Sequence, residues 1–207
     1  MKRILLAGII LTGSFVSKAQ FNFGVKGGLN FTDQFRKDAG KTAASTNLHA
    51  ELHAGLIADL QLNTNLHIQP QLLYSRKGAT HKSHTIPDTR VKMNYVELPL
   101  NLVYKVETVF GKVFLGAGPV FSYGFGGELM QAGETKKLYS DIKNFKREDI
   151  SANVVGGIEL NNGLFASINY QRGFTDIYKT EAVSIRNRSV ALSVGYFINY
   201  KSRTLGR

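Results

Sequence analysis

The chain contains no cysteine. This excludes a lipid-modified N-terminal cysteine, a disulfide framework, thiolate metal sites and cysteine nucleophiles. It also suits passage through an oxidising periplasm. Beyond the first twenty residues, no apolar run approaches the ~20 residues that a helix needs to span a bilayer, so no membrane helix is expected. There is no long basic helix and no nucleic-acid-binding motif, so no nucleic-acid partner is expected despite the basic composition. Gly156-Gly157 and the glycines between Gly124 and Gly127 match no nucleotide-binding pattern. Close strand approach or loop flexibility explains them better.

What is present begins with an export signal. Lys2 and Arg3 form a basic start, Ile4 to Val16 an apolar stretch, and Ser17-Lys18-Ala19 sets small residues at the −3 and −1 positions. Residues 1–19 are therefore expected to be a signal peptide cleaved after Ala19. Taking Lys2, Arg3 and Lys18 from the 26 basic residues leaves 23 against 15 acidic ones, a mature net charge of +8. The excess is spread over many segments and reads as loop charge, available to anionic head groups or surface polysaccharide or serving plain solubility.

The dominant periodicity is two. Leu48, Ala50, Leu52, Ala54, Leu56, Ala58, Leu60 and Leu62 share one face, while His49, Glu51, His53, Gly55, Ile57, Asp59 and Gln61 share the other. A helix would scatter these residues around its axis, whereas a strand separates them. The pattern recurs seven more times, over Phe21 to Phe31, Leu66 to Ser75, Val96 to Lys105, Val113 to Tyr123, Ile150 to Leu160, Leu164 to Gln171 and Ser189 to Tyr200. Each stretch is close to the ~9–11 residues of a tilted membrane-crossing strand. Phe114, Val155, Phe165 and Phe197 fall on the polar face as apolar fillers.

Three connections are short: Asn63-Thr64-Asn65, the few residues around Thr108, and Asn161-Asn162-Gly163, a tight-hairpin signal. Four are long: Asp33 to Asn47, Arg76 to Arg90, Gly124 to Asp149 and Thr175 to Asn187. This alternation predicts an all-β, eight-stranded antiparallel transmembrane barrel over residues 20–200, an up-and-down meander followed by a short basic tail at 201–207. Both termini and the short turns are expected in the periplasm, and the long loops outside.

A soluble lipocalin-like barrel would also alternate, with its apolar face inward. Eight strands enclose too little volume for this continuous row of Leu, Ile, Val, Phe and Tyr, whereas the Gly, Ser, Ala and Asn of the polar face suit a narrow lumen. Phe21, Phe31, Tyr74, Tyr104, Tyr123, Tyr170, Phe174 and Tyr200 sit toward segment ends, where interfacial girdles place aromatics.

Four stretches carry a family likeness. Phe23-Gly24-Val25-Lys26-Gly27-Gly28-Leu29-Asn30, Tyr95-Val96-Glu97-Leu98-Pro99-Leu100, Gly116-Ala117-Gly118-Pro119 and Ser193-Val194-Gly195-Tyr196-Phe197 resemble the PorT-like outer-membrane β-barrel family, also described as a porin family or outer membrane protein β-barrel domain. Tyr-x-Glu-x-Pro is the distinctive element. The resemblance implies an OmpA-like eight-stranded barrel, with no activity and no catalytic residues. The stretch from Asn199 to Arg207 departs from chains that stop at the last aromatic.

The polar face collects Lys26, His49, Glu51, His53, Asp59, His67, Glu97, Lys105 and Glu159. Charges in a narrow lumen must pair or meet water. They are expected to form a plugging network, with Lys26 opposite Glu97 or Glu159. His49 and His53 lie about 13 Å apart along one strand, too far for one ion, so no metal and no cofactor is expected. His81, Ser83, His84 and Asp88 offer the residue types of a lipid-acting enzyme but no triad spacing, so an enzyme is not expected. Three functional readings follow, in order of preference. The first is a monomeric structural or interaction barrel, bound to outer-membrane lipids and lipopolysaccharide and offering its loops to a protein partner. The second is a narrow passive channel, and the third a lipid-modifying enzyme.

Overall fold

The computed structural model describes residues 21–38, 41–44, 49–81, 89–142, 146–175 and 183–199. The expected signal peptide, the tail at 201–207, Tyr200 and residues 82–88 lie outside them. Ten strands follow in order: β1 (Phe21–Asp38), β2 (Lys41–Ala44), β3 (His49–Gln61), β4 (Leu66–His81), β5 (Thr89–Thr108), β6 (Gly111–Gln131), β7 (Glu134–Lys137), β8 (Glu148–Leu160), β9 (Leu164–Gly173) and β10 (Val183–Phe197). Eight of them make the wall, each paired antiparallel to its sequence neighbour, and β10 closes on β1 from Gly24↔Phe197 to Asp38↔Val183. Short β2 and β7 fold back on the far ends of β1 and β6. The protein is a closed eight-stranded antiparallel β-barrel.

The three tight connections stand where expected. Asn63 Oδ1 accepts from the backbone N–H groups of Asn65 at 3.0 Å and Leu66 at 2.8 Å. Thr108 donates to the Gly111 carbonyl at 3.0 Å. Gly163, at φ +89°, donates its N–H to Leu160 at 3.0 Å, a left-handed turn position that a β-carbon would strain. Each of three strand prolines interrupts one ladder: β3–β4 skips around Pro70, β4–β5 around Pro99 and β5–β6 around Pro119. A proline has no N–H to donate there.

All four expected long loops prove to be partly strand: β1 runs on to Asp38 with β2 beyond it, and β10 begins at Val183. β4 runs on to His81 and β5 begins at Thr89, while β6 continues to Gln131 and returns as β7. The hairpins thus rise past the apolar stretch, the β5–β6 ladder with one register shift between Asn94 and Tyr95.

Burial is inverted relative to a soluble protein. Leu102 on β5 is 50% exposed, whereas Asn101 beside it is 1% exposed. The wall presents Leu, Val, Ile and aromatics outward and gathers Lys, Asp, Glu, Asn, Gln and Ser inside. An outward apolar band suits hydrocarbon, and closure satisfies the backbone groups that lipid cannot. Tyr104, Phe110 and Phe21 are exposed toward the short-turn end, and Tyr74, Tyr123, Tyr170 and Phe174 toward the other. Placing a charge in the band should be costly. Leu102→Arg is expected to lose about 2–4 kcal/mol of folding free energy in vesicles, measured by urea titration, against roughly no cost for Leu102→Val.

Candidate functional site

The lumen is filled in layers. Nearest the short turns, Lys105 Nζ donates to Asp59 Oδ2 at 3.0 Å and to Glu159 Oε2 at 2.5 Å. Asp59 also faces His67 Nδ1 at 3.1 Å and accepts from Gln69 Nε2 at 2.9 Å. Lys112 approaches Glu159 Oε1 from the rim at 3.8 Å. Asp59 and Glu159 are 0% exposed, so their charges depend on these partners. Two apolar clusters pack beside them: Ile57 with Phe165 and Phe197, and Val103 with Phe114 and Val155. The four apolar fillers of the polar face are therefore the packing that seals this end.

Above this layer Lys26 donates to Gln71 Oε1 at 3.3 Å and Asn169 Oδ1 at 3.5 Å. Asn153 donates to Asn101 at 3.1 Å. Next comes Glu97, ion-paired to Lys77 at 2.6 Å and accepting from Ser122 at 3.0 Å and Gln171 at 3.3 Å. The Glu of the Tyr-x-Glu-x-Pro element is thus the hub of the upper lumen. His53 Nε2 meets Ser193 Oγ at 3.0 Å. Thr32 and Asn30 reach from β1 to the Gly78 and Arg76 carbonyls on β4. Two cavities on the axis measure about 30 and 10 Å³, the first lined by Lys26, His53, Gln71, Glu97 and Asn153. Such spaces hold about one or two waters, not a hydrated ion path.

Most of the sequence-predicted residues meet here. Lys26, His53, Asp59, His67, Glu97, Lys105 and Glu159 are all buried in the lumen. Glu51 is half-buried and lies against Gly78 near the outer end of β3 and β4. The His49 backbone pairs with Thr32, and its side chain lies outside the described residues. The expected pairing of Lys26 is replaced: Lys77 takes Glu97 and Lys105 takes Glu159, leaving Lys26 on two amides between them. His53 and His67 go to different clusters, so the histidines do not converge. Sequence reasoning missed Lys77 because it fell in an assumed loop. Its even spacing from Gln71, Leu73 and Ser75, all buried, was the available signal. Ser83, His84 and Asp88, and the His81 side chain, lie outside the described residues.

The long connection after β6 folds inward. β7 hydrogen-bonds back along Glu128 to Gln131, and Leu138 then donates to the Gly127 carbonyl at 2.9 Å. Leu138 packs with Val91, Met93 and Tyr95 on the inward side of β5. Gly127 and Gly124 leave room for this cap: a β-carbon on Gly127 would stand 2.8 Å from Leu138 Cδ1, and one on Gly124 would strike Tyr139. Burial raises the Tyr139 phenol above its ordinary pKa, against the pull of Arg147, whose guanidinium lies 4.7 Å from the ring. Leu138→Ala is expected to weaken cap docking by about 2–3 kcal/mol. Limited proteolysis should then cleave near residues 132–147 faster while the wall strands stay protected.

A family model described as "Outer membrane protein beta-barrel domain" matches residues 15–179. A comparison with curated proteins gives no match. Among solved structures, Neisserial surface protein A is 13% identical, with a TM-score of 0.47 over 88% of this chain and 100% of that one. OprG from Pseudomonas aeruginosa is 13% identical, with a TM-score of 0.48 over 84% and 94%. Ail, the attachment invasion locus protein of Yersinia pestis, is 10% identical, with a TM-score of 0.40 over 84% and 99%. With its closed barrel, outward apolar band and filled polar lumen, the chain belongs to the outer membrane protein beta-barrel domain family.

Proposed function

We propose that this outer-membrane barrel is a plugged structural or interaction protein rather than a channel. The observation that carries this reading is the filled lumen, with Lys105 held between Asp59 and Glu159, Lys77 on Glu97, and cavities of water size. Structural wall and outer end then share the work. The short turns face the periplasm, and the extended β5–β6 hairpin with its cap stands outside as a platform for a protein partner. Its exposed rim is mixed in charge, with Lys136 paired to Glu134 at 3.5 Å and Asp141 accepting the Lys137 backbone N–H, which suits a protein partner. The PorT-like resemblance of the Tyr95–Leu100 element favours envelope integrity, adhesion or assembly of secretion machinery as the setting.

The test is single-channel recording of the purified protein in planar bilayers. No stable open state is expected. A stable open state whose ion selectivity changes in Glu97→Gln would overturn the plugged reading and install the narrow-channel one.

A further inference from the structure

The outer wall of β8, β9, β10 and β1 carries two features that lie one above the other. The first is a pair of arginines. Arg172 on β9 and Arg188 on β10 are direct cross-strand partners, one outward position beyond Tyr170↔Val190. Like charges directly opposite each other repel. Asp33, the register partner of Arg188 on β1, binds it at 3.1 Å from the side of β10 away from Arg172. The second feature is an apolar groove of about 690 Å³ lower on the same strands. Small residues at Gly156 and Ala166 form its floor, and Ile158, Ile168, Leu192 and Val194 its sides.

The register fixes the distance between them. Ile168↔Leu192 lies four residues from Arg172↔Arg188 along both strands. That is about 13 Å along a strand, or roughly 10 Å of depth at a barrel tilt. The arginine pair lies one outward position past exposed Tyr170, with exposed Phe174 one position farther out, so it stands within the aromatic girdle at head-group height while the groove lies at acyl height. Guanidinium forks match phosphate oxygens in a way that point charges do not. A second copy of this chain would bring a like arginine pair to the wall, which argues against a dimer through this face.

We infer that this wall is a binding site for a phosphorylated lipid of the outer leaflet, the lipid A moiety of lipopolysaccharide. Its phosphate sits on Arg172 and Arg188, and one acyl chain lies in the groove over Ala166. This inference rests on the proposed orientation, with the long connections outside. It adds a defined site to the general lipid contact of any barrel.

The test uses the purified protein refolded in zwitterionic detergent micelles and titrated with diphosphoryl or fully dephosphorylated lipid A, with bound lipid counted by native mass spectrometry. The phosphorylated form is expected to bind about tenfold more tightly. Arg172→Gln, which spares the Arg188–Asp33 pair, should abolish that preference and leave lipid-free stability in urea unchanged or higher, since it removes a like-charge contact. Ala166→Phe, which fills the groove, should weaken both forms several-fold, and Lys136→Gln/Lys137→Gln should change neither. Equal binding of the two lipids by the wild type, an unaltered preference in Arg172→Gln, or an equal loss in the Lys136/Lys137 variant would each overturn the site. Heat-modifiable gel mobility and membrane fractionation report separately on the barrel. Their loss would strike the general reading, and their persistence without lipid selectivity would strike the site alone.

Discussion

Lys105→Met is expected to be among the most destabilising single changes in the barrel, at about 3–5 kcal/mol, because it strands two buried carboxylates. Lys105 Nζ stands between Asp59 and Glu159 and lies 5.5 Å over the Phe197 ring. His67 and Gln69 still hold Asp59 when the lysine is gone, but the described contacts leave Glu159 with only distant Lys112. A buried pair contributes little relative to an apolar replacement of the whole group, yet breaking it from one side is expensive. The triple variant Asp59→Asn/Lys105→Met/Glu159→Gln should therefore recover most of the loss. Urea unfolding from lipid vesicles, followed by the heat-modifiable gel band, measures both. A Lys105→Met protein within 1 kcal/mol of wild type would mean that this layer does not stand as an ionised cluster. A triple variant no better than the single would place the cost in packing over Phe197 rather than in charge.

The strands were legible wherever lipid imposes its demand. On β3 and β5 every second residue must be apolar to face hydrocarbon, so inside and outside could be assigned one residue at a time. Beyond the bilayer that demand ends. Gly124-Phe125-Gly126-Gly127-Glu128 does not alternate, although β6 continues through it, because its outer end faces water and the cap rather than lipid. The same loss of signal hid Lys77 on the extension of β4. Membership of the lumen followed from parity, but partnership did not. Which lysine meets which carboxylate depends on the stagger of strands that face each other across the barrel. The register puts Glu97 opposite Leu73 on β4, with Lys77 four residues farther out on the same inward face. Lys105, near the other end of β5, reaches Glu159 on β8. Lys26 sits between these levels, and no spacing along one strand reports that height. The cap was illegible for a different reason. Leu138, Tyr139 and Ile142 are apolar residues scattered without strand alternation through a polar segment, and only the inward fold after β7 brings them to one cluster.

Phe165→Ala is expected to cost about 3–5 kcal/mol, comparable to the lysine but by a different route. Phe165 points into the lumen from the start of β9, stacks on Phe197 with ring centroids 4.9 Å apart, and completes a cluster with Ile57. The wall is shaped around it: a β-carbon on Gly195 would collide with its ring. Removing the ring leaves a void next to the 10 Å³ cavity that Lys26, Gln69, Gln71 and Glu159 already border. Polar neighbours can draw water into that space, which puts the expected cost toward the lower end of the range. In a double-mutant cycle, Phe165→Ala and Phe197→Ala should cost less together than the sum of the singles, since each forfeits the same stacking contact. Bilayer recording adds a second readout. If these rings seal the short-turn end, brief conductance bursts should appear in the double variant and be absent from wild type. A double variant as silent as wild type would show that the Lys105 layer closes the lumen by itself, with the aromatic cluster serving stability alone.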